Sequence, residues 1–555
     1  MLRLFETHRI RATRELDGMW DFKMDGFDKD YRMPVPACWE QHPDFMRHRG
    51  RGTYTKTVYI AKTGNIRLEF KGVSHTADVY FDDKKIAHHY NAFTPFSAIV
   101  RDVEKGEHTI RVEVDNTFSE RSALHIPNDY YTYGGITRPV ALEQLSDVYI
   151  KRVRFTPYRQ NGKWNAKIEV CVHNLSDHSM TVSVQSVLDR YTLQDTVRLC
   201  GHTEKTVILE REFENVRAWS NTEPNLYLLN TILVSDGKEV DDYIERVGFR
   251  TVEVRDAGIY LNGEAVYFKG FNRHEDYAAD GCAIPLQHMV QDMDLIQEMH
   301  ANAVRTCHYP NDERFLDLCD ERGIYVWEEN HARGMLLEDM QNPNFERQCK
   351  DCINEMIENH YNHPSIMIWG ILNECASETE DGRRMYQKQY EQIKSLDPSR
   401  PTTSATCCHF TDLCLDLPDV VSVNMYAGWY EDCEIAGRIK QELDWITRAG
   451  GDGKPVIISE AGAAAIYGYR DRSRCKWSEE RQADIIRSNL EVYMNDKHIV
   501  GVFIWQFADC RVTEEGGWYA TRARCHNNKG IVDEYRRPKM AFDTVKELFG
   551  RQAPK

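Results

Sequence analysis

Two β-sandwiches followed by a (β/α)8 barrel is the architecture this sequence predicts, on three observations. Up to about Leu145, short runs of alternating polar and apolar residues are separated by Gly, Asn and Asp turn signals. The same texture resumes from about Val148 to Val254. After Ile259 it changes: short apolar strands alternate with amphipathic segments of helical period.

In the first region "GTYTKTVYI", "IRLEFKGV", "ADVYFDD" and "EHTIRVEVDN" read as antiparallel strands, predicting an antiparallel sandwich over residues 1–146. "AKIEVCVHN", "MTVSVQSVL", "TVILEREF" and "LYLLNTILVSDG" follow over 147–254. About a hundred residues holding about seven strands suit an immunoglobulin-like sandwich. Residues 255–555 carry eight strand-like runs: "AVYFKGF", "ANAVRTCHYP", "GIYVWEEN", "SIMIWGILNE", "RPTTSATC", "VVSVNMY", "KPVIISE" and "GVFIWQF". Amphipathic runs such as "LQHMVQDMDLIQEMH" and "SEERQADIIRSNLEVYMN" lie between them. That count and length match a (β/α)8 barrel. An open doubly wound sheet is the alternative, but no Gly-rich fingerprint follows the first strand.

The chain has 555 residues and a formal charge of −17, with Lys and Arg scattered rather than gathered into a basic stripe. Nucleic acid is therefore a poor partner. No uninterrupted apolar span is long enough for a bilayer, and the amino terminus "MLRLFETHRIRATREL" is broken by charges every few residues, so no membrane association and a cytoplasmic location are expected. The 16 cysteines then read as reduced and mostly buried. Cys349 and Cys352 have CxxC spacing inside a helical-looking segment, with no second pair to complete a zinc site.

In such a barrel the chemistry sits at the carboxyl ends of the strands. The fourth strand ends in Asn373-Glu374 and the seventh in Glu460, each after an apolar run. Two carboxyl groups across a barrel mouth are what glycoside hydrolysis needs, one protonated to assist the leaving oxygen and one ionised to attack or to activate water. Structural alternatives remain, with each glutamate capping its strand or pairing with Arg305 or Arg273. Spacing alone does not choose between retention and inversion.

The ordered segments "FKGFNRHED", "NAVRTCHYPND", "HPSIMIWGILNE" and "KPVIISEAG", behind two sandwiches, resemble glycoside hydrolase family 2 over essentially the whole chain. The resemblance makes the first domain a sugar-binding-like jelly roll. It implies Glu374 as acid/base and Glu460 as nucleophile of a retaining double displacement, with Asn373 on the sugar 2-hydroxyl and no cofactor or metal. Within the family the β-uronidases, β-glucuronidases and β-galacturonidases, are most similar. Their Asn-x-Lys motif, which grips the sugar carboxylate, stands here as Asn527-Asn528-Lys529, and a Lys ammonium is a fitting donor to a carboxylate.

By the same resemblance Asp129 in "NDYYTYGGITRP" lies near the 4-hydroxyl. Asn424, Tyr426 and Tyr430 stand beside the nucleophile, Trp505 is an apolar platform, and Arg305 and His308 line the floor. Arg333 departs from the glucuronidase pattern. It either binds an axial 4-hydroxyl, which would favour galacturonides, or pairs with a surface carboxylate. The segment after "GMLLEDMQNP" is short, so the long loop over small aglycones is expected to be absent. The expected activity is that of an exo-β-uronidase on uronic acid conjugates or uronate-terminated oligosaccharides, working as a homo-oligomer. A neutral β-galactosidase and a non-catalytic carbohydrate-binding protein are the rivals.

Overall fold

A computed structural model describes residues 2–514 and 522–551. The first sandwich faces a six-stranded sheet against a four-stranded one. The six-stranded sheet runs in the order Tyr31–Val35, Gly18–Met24, Arg51–Ile60, Gly106–Asp115, Thr76–Phe81 and Lys84–Tyr90. Ala12–Glu15, Val140–Leu145, Gly64–Phe70 and Phe96–Val103 make the other. Alternation along each strand sends Trp20, Tyr54, Leu68 and Val112 into the common core. The second sandwich sets Val148–Gln160, Lys163–Asn174 and Glu204–Phe213 against Tyr191–Leu199, Met180–Leu188, Tyr227–Ser235 and Lys238–Val247. That is the three-plus-four arrangement of an immunoglobulin-like domain.

The barrel is closed and all-parallel: β1 (Phe268–Asn272), β2 (Ala303–Thr306), β3 (Tyr325–Glu329), β4 (Ile366–Asn373), β5 (Thr402–Thr406), β6 (Val421–Asn424), β7 (Val456–Ala461) and β8 (Ile499–Ile504). Every residue of β4 is buried, as a strand covered on both faces must be. Gly370 in its middle is a packing requirement, because a Cβ there would lie 2.3 Å from Trp327 Nε1 and 2.6 Å from Glu329 Cβ. Between β3 and β4, the helix Phe345–His360 turns Cys349, Cys352, Ile353 and Met356 inward. The CxxC pair is thus part of the hydrophobic core. All 16 cysteines are free thiols, and no described helix is long and apolar enough to cross a membrane.

The first sandwich reaches the barrel through the segment between its strands Gly106–Asp115 and Val140–Leu145. Arg138 is buried there and donates to Glu275 Oε2 at 2.7 Å and to the Pro310 carbonyl at 2.8 Å. Phe93 stacks on Tyr309 at 3.8 Å between ring centres. These contacts bring Asn128 and Asp129 over the barrel mouth, where Asn128 and Thr513 exchange hydrogen bonds.

Candidate active site

A cavity of about 560 Å³ opens at the carboxyl ends of the barrel strands. Of the residues singled out in the sequence, Asp129, Arg333, Glu374, Asn424, Tyr426, Tyr430, Glu460, Trp505 and Lys529 line it. Arg305, His308, Asn373 and Asn527 are fully buried just beneath that wall.

Glu460 ends an apolar strand, so its carboxylate is desolvated, and the fold supplies two donors. Arg305 donates to Oε1 at 3.0 Å and the Tyr426 hydroxyl to Oε2 at 2.6 Å. Burial, reinforced by the facing charge of Glu374, pushes the Glu460 carboxyl up to about 8, against the pull of Arg305 and Tyr426. Glu374 is less enclosed, with 16% of its side chain exposed. It accepts from Asn424 Nδ2 at 2.9 Å and pairs with Arg333 at 3.2 Å. Its backbone is left-handed, φ 51°, a conformation that costs a non-glycine residue about 1 kcal/mol and that a packed site can hold.

Arg305 organises the floor. It grips Glu329 with two bonds of 2.9 Å, reaches Glu460, and donates to Asn272 Oδ1 at 3.1 Å and Asn373 Oδ1 at 2.8 Å. Its guanidinium lies 4.5 Å from the centre of the Trp327 ring, the side chain that Gly370 admits. With its oxygen occupied, the Asn373 amide nitrogen is left without a partner among the described residues. His308 bonds Glu329 Oε1 at 2.8 Å through Nδ1 and stacks on Trp505 at 5.1 Å. Burial, helped by Arg305, holds its imidazole neutral.

The other end of the cavity is cationic. Lys529 is buried, 5.2 Å from the Tyr430 ring centre, and makes no ion pair with any described carboxylate. Burial and the neighbouring Arg522 push its pKa down. Arg522 bonds Asp129 Oδ2 at 3.0 Å and Tyr430 at 3.3 Å. Asn527 Nδ2 also donates to Asp129 Oδ2 at 3.0 Å, and Arg333 stands 3.5 Å from Oδ1. Burial alone would raise the Asp129 carboxyl, but Arg333, Arg522 and Lys529 outweigh it and hold it below its ordinary value. Arg333 thus pairs with Asp129 and Glu374, two carboxylates that line the cavity, and donates to Asn128 Oδ1 at 2.9 Å.

Sequence reasoning passed over Arg522 and the outer wall formed by Trp429, Lys476 and Trp477, and gave Glu329, at the end of the third strand, no role. "TRARCHNNK" offers two arginines, and only the fold turns Arg522 inward while Arg524, φ 58°, faces Glu534 at 3.5 Å. Two described clusters could hold a metal: Asp317, Asp320 and His363, and His274, Cys307 and His308. In the first, Arg3 already binds both oxygens of Asp317, at 2.8 and 3.0 Å, so it is an ion-pair network. The second lies against Trp505 at the cavity floor.

A closed parallel barrel with two strand-end glutamates behind two sandwiches defines a class of sugar-cleaving enzymes, and comparison with known proteins agrees. Residues 252–553 match the family model described as "Glycosyl hydrolases family 2, TIM barrel domain". Residues 148–250 match "Glycosyl hydrolases family 2", and 46–171 the "Glycosyl hydrolase 2 galactose-binding domain-like" model. The chain belongs to glycoside hydrolase family 2. It is 48% identical to a β-galacturonidase from Eisenbergiella tayi solved with galacturonate bound, covering 99% of each chain with a TM-score of 0.96. A β-D-glucuronidase from Dictyoglomus thermophilum is 27% identical, covering 100% of this chain and 99% of that one, TM-score 0.86. A curated β-glucuronidase from Paenibacillus borealis is 28% identical over 97% of both chains.

Proposed function

We propose that this chain is a retaining exo-β-uronidase, and one observation carries the reading. A buried ammonium that makes no ion pair with any described carboxylate, Lys529, lies beside Arg522 in the cavity that holds Glu374 and Glu460. Leaving such a charge uncompensated is costly, and a substrate carboxylate is the group that compensates it. The terminal uronate sits over Trp505 with its carboxylate toward Lys529, Arg522 and Asn527. The Asn373 amide nitrogen meets the 2-hydroxyl. Glu460, held by Arg305 and Tyr426, attacks the anomeric carbon while Glu374 protonates the glycosidic oxygen, and water then enters with Glu374 as base.

Between the two epimers, Arg333 supports the galacturonide. It stands beside Asp129, expected near the 4-hydroxyl, and the similar Eisenbergiella tayi enzyme is a β-galacturonidase. A reducing cytoplasm suits the free cysteines, and a homo-oligomer, expected from the family resemblance, is read directly by light scattering on the purified protein.

The test is the initial rate on 4-nitrophenyl β-glucuronide, β-galacturonide and β-galactoside, with Lys529→Ala alongside. Losing a charge-assisted contact worth about 1.5–3 kcal/mol lowers uronide kcat/KM roughly 10- to 100-fold and spares the galactoside. A galactoside that wins, or a uronide rate indifferent to Lys529, defeats the carboxylate clamp. The faster uronide identifies the epimer.

A further inference from the structure

The cavity has a second room with chemistry of its own. On the β6 and β7 side its wall is made by Trp429, Trp477 and Lys476, with His409 and Glu431 also on the lining. The two indoles meet edge to face with centres 5.4 Å apart. Lys476 Nζ stands 4.3 Å from the centre of the Trp429 ring and donates to the Trp429 carbonyl at 3.5 Å.

Two donors in this corner face the cavity, one exposed and one buried. Lys476 is exposed and makes no ion pair with any described carboxylate, while Glu431 on the same lining is held by Arg438 at 2.8 Å. The Trp429 indole N–H is buried, 6% of the residue being exposed, and has no hydrogen-bond partner among the described residues. His409 donates through Nδ1 to Glu442 Oε1 at 2.7 Å. Trp477 is held left-handed, φ 78°, with its carbonyl accepting from Ile466 N at 3.0 Å. A bulky residue keeps such a conformation, at about 1–3 kcal/mol, only where its surroundings impose it.

A free N–H and an ammonium beside bare indole faces suit a ligand with one apolar face and an anionic oxygen. A phenolic leaving group would cover the indoles but leave the Trp429 N–H without an acceptor and the Lys476 charge without a counter-ion. A terminal uronate is free at every position except its anomeric carbon, so whatever part of the substrate lies here is joined through the oxygen that Glu374 protonates. We propose that this corner is a leaving-group subsite for an acidic sugar, its ring face on Trp477 and its carboxylate at Lys476 Nζ and the Trp429 N–H. The proposal rests on the β-uronidase reading above and extends it: the preferred substrate is an acidic oligosaccharide with a terminal β-uronate.

Three substrates test it on wild type and Lys476→Met: a β-uronosyl-(1→4)-uronate, the matched β-uronosyl-(1→4)-hexose, and 4-nitrophenyl β-uronide. Wild type is expected to favour the acidic disaccharide by roughly tenfold in kcat/KM, the worth of one hydrogen bond to a charged group. Lys476→Met should bring the two disaccharides to about the same kcat/KM, and added salt should narrow the wild-type preference. Equal wild-type rates on the two, or a preference that survives in Lys476→Met, overturn the subsite. Wild-type cleavage of 4-nitrophenyl β-uronide reports the β-uronidase activity separately. Turnover there without an acidic preference sinks only the subsite, whereas no turnover of any uronide sinks both.

Discussion

Glu460 is under opposed influences. Arg305 and Tyr426 favour its charged form, while burial and the charge of Glu374 raise its carboxyl to about 8. The acidic limb of kcat/KM should therefore report the ionisation of Glu460 in the free enzyme, lifted by its neighbour. Glu374→Gln removes the like charge, so the limb should move to lower pH by about 1 unit. A 2,4-dinitrophenyl uronide reads this, because its leaving group needs no proton. A limb that stays in place would show that Glu374 does not set it. Both glutamates could be singled out in the sequence, because each follows an apolar run that closes on one polar residue, Asn373 or Ser459, where a barrel strand ends. Arg522 was not, because either arginine of "TRAR" could face the cavity and the choice is made by backbone conformation.

At the scale of elements, the site is shared between a barrel and a loop of another domain. Asp129 belongs to the segment joining two sandwich strands, yet it is bonded to Arg522 and Asn527 near the carboxyl side of β8. What holds the segment there is Arg138, buried against Glu275 and Pro310. Arg138→Ala leaves Glu275 without its counter-ion, a loss of about 3–5 kcal/mol for a buried pair. The expected outcome is a roughly tenfold fall in kcat/KM on 4-nitrophenyl uronide together with faster proteolytic nicking between residues 116 and 139, although Arg138 does not line the cavity. Unchanged kinetics would assign the positioning to the Asn128–Thr513 pair instead. The barrel strands were readable as short, mostly apolar runs alternating with amphipathic segments, although the fifth, Thr402–Thr406, is largely polar. The contacts of the sandwich loop were not, because they join residues hundreds of positions apart and leave no period in the sequence.

For the whole molecule, the seam between sandwich and barrel is packed with imidazoles. His75 stacks on His125 at 4.3 Å and His125 lies 4.4 Å from His331, which meets Tyr130 at 3.1 Å. Burial lowers His75 from 6.5 to about 4. The unfolded chain takes up a proton near pH 6.5 that the folded site refuses until about pH 4, so this contribution is whole above pH 6.5 and drains away as pH falls toward 4. Between pH 7 and 5 it amounts to about 2 kcal/mol. His75→Gln carries no such proton, so its stability relative to wild type should improve by about that amount over the same interval, read by denaturant unfolding at the two pH values. Equal shifts would mean that His75 titrates normally in the fold. The sequence by itself determined the class of each domain, the barrel strands and the glutamates that end two of them, because these follow from local periodicity and from which residues a strand must bury. Only the tertiary structure decided that Arg305 reaches the ends of four other barrel strands, that Arg333 belongs to the cavity, and that Asp129 and Arg522 meet across domains. Those relations depend on distances in space between residues far apart in the chain, which local pattern does not encode.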